Sequence, residues 1–496
     1  MRIKGKTIIE LTNVNTGEVK RFEDSNMITN GMANFLNPFG TFGNYPINDE
    51  DAHNNRPWHW LTGGLMLFDK PIEENVNRTY MPAGTKMTGN GAKDVANSTN
   101  VTNLGSYNAT ESGLTVEGNN ATIKYVYDFT TSQGNGVIAS ACLTSRLGGY
   151  MGMGNATSRV RDLQAGLGSY QTSCYANEKK PAFAFNSYGY APYNCLAYAV
   201  YDEDAVYIVN PQSVYYASSS YTDQRTQHWS ASQKIKVHKM RAGFKSIGLL
   251  DGYYIDREKR VWEIDVPQVI LSYMGTSKYY ANVFSDAFTR SIYITFSKDV
   301  DNISAGSSFY LMKIDRDMQA TAYQIANNTG FKLHLGDNSY NSGYRKVAFD
   351  GDYMYAWGYE SGSDYKLFKI KITDSTQVLE TTATATSWEE VYALAPNLIC
   401  FGYDNISGYN YYNGKIYDAI NDTARYVNGY CNEAERIIPF ADRAGAYIEE
   451  DVTGYDVCYY IRKDPRYLAT INNLAEPIEK TADTTMKVIY TLTYEV

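Results

Sequence analysis

Apolar and polar residues alternate along much of this chain, the period-two signature of half-buried strands. Residues 3–12 and 18–23 alternate on either side of Asn15-Thr16-Gly17, which predicts a hairpin around that turn. Asp24 or Ser25 then stands where a helix cap would, and Met27, Ile28, Met32, Phe35 and Leu36 share one helical stripe ending at Asn37-Pro38. That spacing predicts a short helix. Residues 37–120 read as loop-like around one strong apolar run, 61–68. Strict alternation returns at 122–129, with Ile123, Tyr125, Tyr127 and Phe129 facing one way and Thr122, Lys124 and Asp128 the other. The Gly/Asn turn at 132–136 leads into a further strand at 137–144. Residues 1–160 are therefore expected to form a β-sandwich-like attachment module.

From about residue 160 the rhythm changes. Tyr-rich strand pairs recur at 197–201 with 205–209, 292–296 with 308–314 and 347–357 with 365–372, and weaker pairs follow at 398–403 with 409–417 and 437–441 with 457–462. The unit is an apolar strand, an Asp/Gly turn and a Tyr-rich strand. Its ending is repeated in Tyr310-Leu311-Met312-Lys313-Ile314-Asp315 and Lys366-Leu367-Phe368-Lys369-Ile370-Lys371. A spacing of roughly 40–55 residues is that of propeller blades. Residues 161–476 are expected to be a Tyr-rich β-propeller-like domain of about five to seven blades, the alternative being a second, irregular sandwich. After Glu476-Pro477, residues 486–494 read as one long strand. An unpaired terminal strand would be an aggregation-prone edge, so 477–496 is expected to return to the N-terminal sheet. The expected fold is thus all-β, with the propeller inserted into a module built from both ends of the chain.

Composition sharpens this picture. The 496 residues include 46 Tyr against 18 Phe and 6 Trp, with 39 Gly, a balance suited to pleated surfaces and many turns. A formal charge of −9 disfavours nucleic acid and anionic membrane surfaces. No apolar run approaches the length of a membrane span, and MRIKGKTIIELTN lacks the apolar core of a secretory signal. Cys142, Cys174, Cys195, Cys400, Cys431 and Cys458 form no CxxC and have no His at zinc-ligand spacing, so they read as free thiols in a reducing compartment. Asn-x-Ser/Thr triplets such as Asn97-Ser98-Thr99 follow from composition rather than glycosylation.

Four segments carry a family likeness. They are the opening from Ile9 to Asn30; Gly63-Gly64-Leu65-Met66-Leu67-Phe68-Asp69 with Met81-Pro82-Ala83-Gly84 and Gly89-Asn90-Gly91-Ala92; the run from Lys124 to Gly136 continuing into Cys142-Leu143-Thr144-Ser145; and the run from Lys480 to Thr491. In this order they resemble tail fibre, baseplate and receptor-binding proteins of tailed phages, prophages or phage-tail-like particles of Gram-positive bacteria. The resemblance covers 1–160 and 477–496, and the middle only in style. It implies a virion or phage-tail-like particle component, not a particular receptor. The expected partners are other virion or tail subunits, a bacterial cell-surface glycan and further copies of the chain, a trimer being one form, with assembly in the host cytoplasm.

Chemistry is sparse by comparison. His53-Asn54-Asn55-Arg56-Pro57-Trp58-His59-Trp60 is the densest candidate for a metal or sugar site, but a packed aromatic loop explains it as well. Gly149-Tyr150-Met151-Gly152-Met153-Gly154-Asn155 lacks the Lys-Ser/Thr of a phosphate loop and reads as a connector. A propeller depolymerase acting on polysaccharide would need two converging carboxylates, for which Asp202, Asp251, Asp350 and Asp404 are candidates; turn-forming is the commoner role of such residues. The acidic run Asp299-Val300-Asp301-Asn302 lacks EF-hand spacing. No catalytic residue, metal or cofactor is assigned. Tyr offers a rigid apolar face with a hydroxyl, suited to sugar and protein contacts, so Tyr409, Tyr411, Tyr412 and Trp357 are the candidate binding residues. The expected function is a tail fibre or baseplate subunit that binds the host surface. The alternatives are a tail-tip depolymerase and a capsid decoration or head fibre protein.

Overall fold

A computed structural model describes residues 2–32, 62–79, 82–93, 102–145, 183–186, 197–202, 205–211, 214–215, 228–229, 234–241, 256–275, 280–286, 288–298, 302–335, 347–360, 364–385, 391–401, 413–428, 436–439, 446–453, 456–463 and 467–495. The fold is all-β, and among the described residues the helical structure is one short helix and a helical turn at Gly31 and Met32. It opens with β1 (Arg2–Asn13), β2 (Val19–Ile28), β3 (Gly64–Phe68), β4 (Met87–Ala92), β5 (Ser106–Tyr107), β6 (Gly113–Glu117), β7 (Asn120–Phe129) and β8 (Gly136–Thr144). β9 (Phe183–Asn186) begins the middle region. Next in the chain are β10 (Ala197–Asp202), β11 (Ala205–Pro211), β12 (Val214–Tyr215), β13 (His228–Trp229), β14 (Lys234–Arg241) and β15 (Asp256–Asp265), of which β12 and β13 join the sheet of the strands that follow. The helix α1 (Gln268–Met274) leads to β16 (Tyr280–Asp286), β17 (Ser291–Ser297), β18 (Asn302–Ile303), β19 (Ser308–Ile314) and β20 (Ala320–Ala326). Next come β21 (Lys332–His334), β22 (Val347–Phe349), β23 (Tyr353–Tyr359), β24 (Tyr365–Lys371) and β25 (Val378–Ala385). A fourth unit has β26 (Val391–Ala395), β27 (Leu398–Phe401), β28 (Asn413–Asp418) and β29 (Thr423–Asn428), and a fifth has β30 (Arg436–Pro439), β31 (Ala446–Thr453) and β32 (Asp456–Lys463). The chain ends with β33 (Thr470–Lys480) and β34 (Thr484–Glu495).

Both ends of the chain build one sheet, in the order β4-β3-β8-β33-β2-β1-β34-β7-β5. Its two edges meet: Asn90 of β4 donates its N–H to Asn103 O at 2.7 Å and accepts from Gly105 N–H at 2.8 Å. The β-sandwich-like module expected from the two chain ends thus takes the form of one nearly closed, barrel-like sheet. Its interior holds Ile9, Leu65, Leu67, Tyr127, Phe129, Leu143, Val488, Tyr490 and Leu492. At Gly91 a Cβ would come within 2.6 Å of the Tyr127 ring, so only glycine lets that ring lie flat against β4. β34 fits between β1 and β7, with Ile8 opposite Ile489 and Tyr125 opposite Tyr490. The last strand therefore completes the N-terminal sheet, as its lone β-propensity predicts.

Two local expectations are corrected. Met27 and Ile28 are strand, not helix, because β2 continues to Ile28 and pairs there with Ile471 and Thr470 of β33; a helical turn begins only at Gly31. The return to the barrel starts near Tyr467, ten residues before the expected boundary. Pro477 does not break β33, because the pairing with β8 shifts register between Asn473 and Ile478, and this bulge accommodates a residue without an N–H.

The middle region is a β-propeller, with five sheets among the described residues. Four are meanders, β10-β11-β14-β15, β16-β17-β19-β20, β22-β23-β24-β25 and β26-β27-β28-β29, with short additional strands on the second and third. The fifth is β30-β31-β32-β9, so the first strand of the region supplies the last strand of the final blade. Cys458 of β32 sits opposite Ala184 of β9, closing the ring across almost its whole sequence. The leading strands β10, β16, β22, β26 and β30 are neighbours in turn. Each core lies between consecutive blades. Ile235, Val237, Ile292, Ile294 and Met312 join the first to the second, Tyr293, Leu311, Phe349 and Ile370 the second to the third, and Trp357, Leu367, Ile399 and Phe401 the third to the fourth.

Candidate functional site: the turn end of the propeller

In every four-strand meander the turn between the first and second strands and the turn between the third and fourth fall at one end of the sheet. β32 leaves the propeller at that end, toward β33, and β9 enters from it. Aspartates organise the end from within. At the β16–β17 turn the Asp286 carboxylate accepts the N–H groups of Phe288 (2.9 Å) and Thr289 (3.3 Å) and the Thr289 hydroxyl (2.6 Å). At the β22–β23 turn Asp350 accepts from Tyr353 N–H (3.2 Å), the Tyr355 hydroxyl (2.8 Å) and Asn397 N–H (2.9 Å), the last from the next blade. Such short-range bonds are why Asp is favoured where a chain reverses.

Lys369 of β24 donates to Asn397 Oδ1 at 2.8 Å, with its ammonium 4.1 Å from the centre of the Tyr353 ring. Burial holds the Lys369 ammonium below the ordinary lysine range, while Asp350 and Asp418 draw it back up. Burial likewise pushes the carboxyls of Asp286 and Asp350 up, against the hydrogen bonds they accept. The Tyr355 phenol is pushed up by burial and by the Asp350 charge beside it.

Asp418, at the β28–β29 turn, joins the two parts of the molecule. Its Oδ1 accepts from Ile420 N–H (2.9 Å) and Asn421 N–H (3.2 Å), and its Oδ2 accepts Gly84 N–H from the barrel at 2.8 Å. Gly84 has φ +78°, and a Cβ there would meet Ile420 Cγ2 at 2.9 Å. Lys70 Nζ caps the other side of this loop, donating to Gly84 O at 2.7 Å. Ala419 N–H donates to Asn397 O at 2.8 Å, tying the joint to the Asp350 cluster.

The candidate residues fare differently. Trp357 is fully buried on β23, edge-on to Phe401 with ring centres 5.3 Å apart; it packs between blades and offers no ring to a ligand. β23 is buried on both faces, which is why an aromatic expected at the surface ends in the core. Tyr409, Tyr411 and Tyr412 lie outside the described residues. The strand ends flanking them, Phe401 and Asn413, are at the end of the sheet opposite the barrel joint. Asp350 is a buried turn residue, and Asp202 ends β10. Asp251, Asp404, Asp299, Asp301, His53, His59 and residues 149–155 lie outside the described residues. Among the described residues no group of three or more His, Cys, Asp and Glu is placed to hold a metal ion. Many tyrosines are core with bonded hydroxyls: Tyr127 donates to Gly63 O at 2.9 Å, Tyr417 to Asp422 Oδ1 at 2.8 Å, and Tyr490 shares a proton contact with Thr470. Gly84 and Lys369 stand in motifs quoted from the sequence, but neither they nor Asp418 were read as residues of the joint. The recurrent Asp turn was its visible trace.

No protein family matches the chain, and no curated protein does. Among solved structures it is similar to TolB from Acinetobacter baumannii at 12% identity, over 52% of this chain and 80% of that one, with a TM-score of 0.19. It is similar to the β-propeller domain of Cps50 (Swd1) from Myceliophteria thermophila at 9% identity, over 54% and 95%, with a TM-score of 0.23. An uncharacterized protein from Listeria monocytogenes matches at 9% identity over 61% and 85%, with a TM-score of 0.23.

Proposed function

We propose that this chain is a structural subunit of a phage tail or phage-tail-like particle, with the barrel as attachment module and the propeller presented to the host surface. One observation carries the reading: the propeller leaves and rejoins a barrel made from both chain ends, and it is held there by its turn end at the Gly84–Asp418 bond. That arrangement leaves the opposite end, with its longer loops, available for a ligand. The four segments that resemble tail proteins support it, since they fall on β1, β2, β3, β4, β7, β8 and β34, neighbours in the one barrel sheet.

The ligand class that suits Tyr- and Asn-rich loops is a cell-wall or capsular glycan. Immunogold labelling with an antibody against the chain, on particles from the source culture, tests the reading. Gold at the tail tip is the expected result. Gold on the head would favour a capsid decoration protein, and particles without the chain would overturn the proposal.

A further inference from the structure

β6 is the most exposed strand of the barrel. Every residue from Gly113 to Glu117 is at the surface, and among the described strands β6 pairs with β7 alone. Leu114 and Val116 are 64% and 66% exposed, more than any other large apolar side chain described. They share a face with Ile123 and Ala121, directly opposite on β7, and then with Leu492 and Tyr494 of β34. The inner face of the barrel thus runs outward onto an open strand edge. Such edges invite another strand.

We propose that the occupant is a second copy of this chain, joined by antiparallel β6·β6′ pairing about a two-fold axis through Thr115. The segment is complementary to itself in that register. Leu114 falls opposite Val116′ and Val116 opposite Leu114′, which covers both apolar side chains. Thr115 meets Thr115′ and extends the polar row of Thr115, Thr122 and Thr493, the last two already 3.0 Å apart between hydroxyls. Glu117′ falls opposite Gly113, and Lys124 is the next residue on the same face beyond Gly113. Nothing lies within 4 Å of where a Gly113 Cβ would be, so the Lys124 and Glu117′ side chains can meet over it. Two strand spacings separate their backbones by about 9.6 Å, within joint reach of these side chains. Symmetry supplies the pair twice. A one-residue slip would turn Leu114 and Val116 onto the partner's polar face. The inference does not depend on the proposed function.

Site-specific cross-linking of the full-length protein tests both pairing and register. Residues directly opposite across an antiparallel pair have Cα atoms about 4.5–5.5 Å apart, inside the disulfide range. Thr115→Cys should therefore form a disulfide-linked dimer on mild oxidation, about tenfold faster than Glu117→Cys, whose symmetry mate is remote. In sedimentation velocity the wild type should shift from monomer to dimer with concentration. Val116→Lys should abolish the shift, and so should Glu117→Lys alone, with recovery in Glu117→Lys/Lys124→Glu. Equal cross-linking at 115 and 117, or a dimer indifferent to both charge reversal and Val116→Lys, would overturn the proposal.

Discussion

Lys480 shows how far burial shapes a single group in this barrel. It is 1% exposed, and its Nζ donates to Thr130 O at 2.9 Å and Asn135 Oδ1 at 2.7 Å. Burial pulls its pKa from 10.5 down to about 8. The folded state thus holds this proton less tightly than the unfolded chain, so stability rises with pH between those two values. Burial pushes the Cys142 thiol and the phenols of Tyr125 and Tyr490 up, so these groups act in the opposite sense, costing stability as the unfolded chain ionises near pH 9 to 10. The Lys480 contribution is therefore read as a difference: the urea midpoint of the wild type relative to that of Lys480→Met should rise from pH 8 to 10. Trp357 is the other residue-scale case. Trp357→Ala would empty a fully buried site beside Phe401 and should cost about 3–5 kcal/mol in urea unfolding. Host adsorption should fall only as the folded fraction falls.

At the scale of elements, pairing partners matter more than propensity. β34 holds β1 on one side and β7 on the other, so deleting residues 484–496 removes the partner of two long strands at once. The truncated chain should appear in the insoluble fraction on expression, while Tyr494→Ala, which leaves the backbone ladder intact, should stay soluble. The Gly84 loop is the corresponding test of the joint. Gly84→Ala forces a side chain into a left-handed backbone and against Ile420, at a cost of about 1–3 kcal/mol. Because the strain falls on the contact between the two parts, hydrogen exchange should rise first at 82–86 and 418–422, ahead of the barrel interior.

For the whole molecule, the proposed role makes avidity the central quantity. A single shallow site for a sugar binds weakly, and many linked copies gain strength through effective concentration. Soluble chain should bind host cells weakly, and the same chain displayed in many copies on a bead should bind them well. Replacing Tyr409, Tyr411 and Tyr412 together by Ala should lower bead adsorption with the thermal unfolding curve unchanged. Undiminished adsorption would remove that loop from the binding surface.

Local pattern determined the all-β class, the positions of strands such as β7, β8, β17 and β24, and the need of β34 for a partner, because period-two alternation records which face of a strand is buried. It carried no record of what each face is buried against. Barrel closure at Asn90, the bulge that admits Pro477 and the fifth blade completed by β9 all depend on residues far apart in the chain, whose pairing no local period encodes. The same limit explains Trp357: on a strand buried from both sides the alternation vanishes, and only the neighbouring blade decides that the ring is core. Aspartate turns were visible as turns, but it took the packing of blade on blade and barrel on blade to make Asp350 and Asp418 the ties between them.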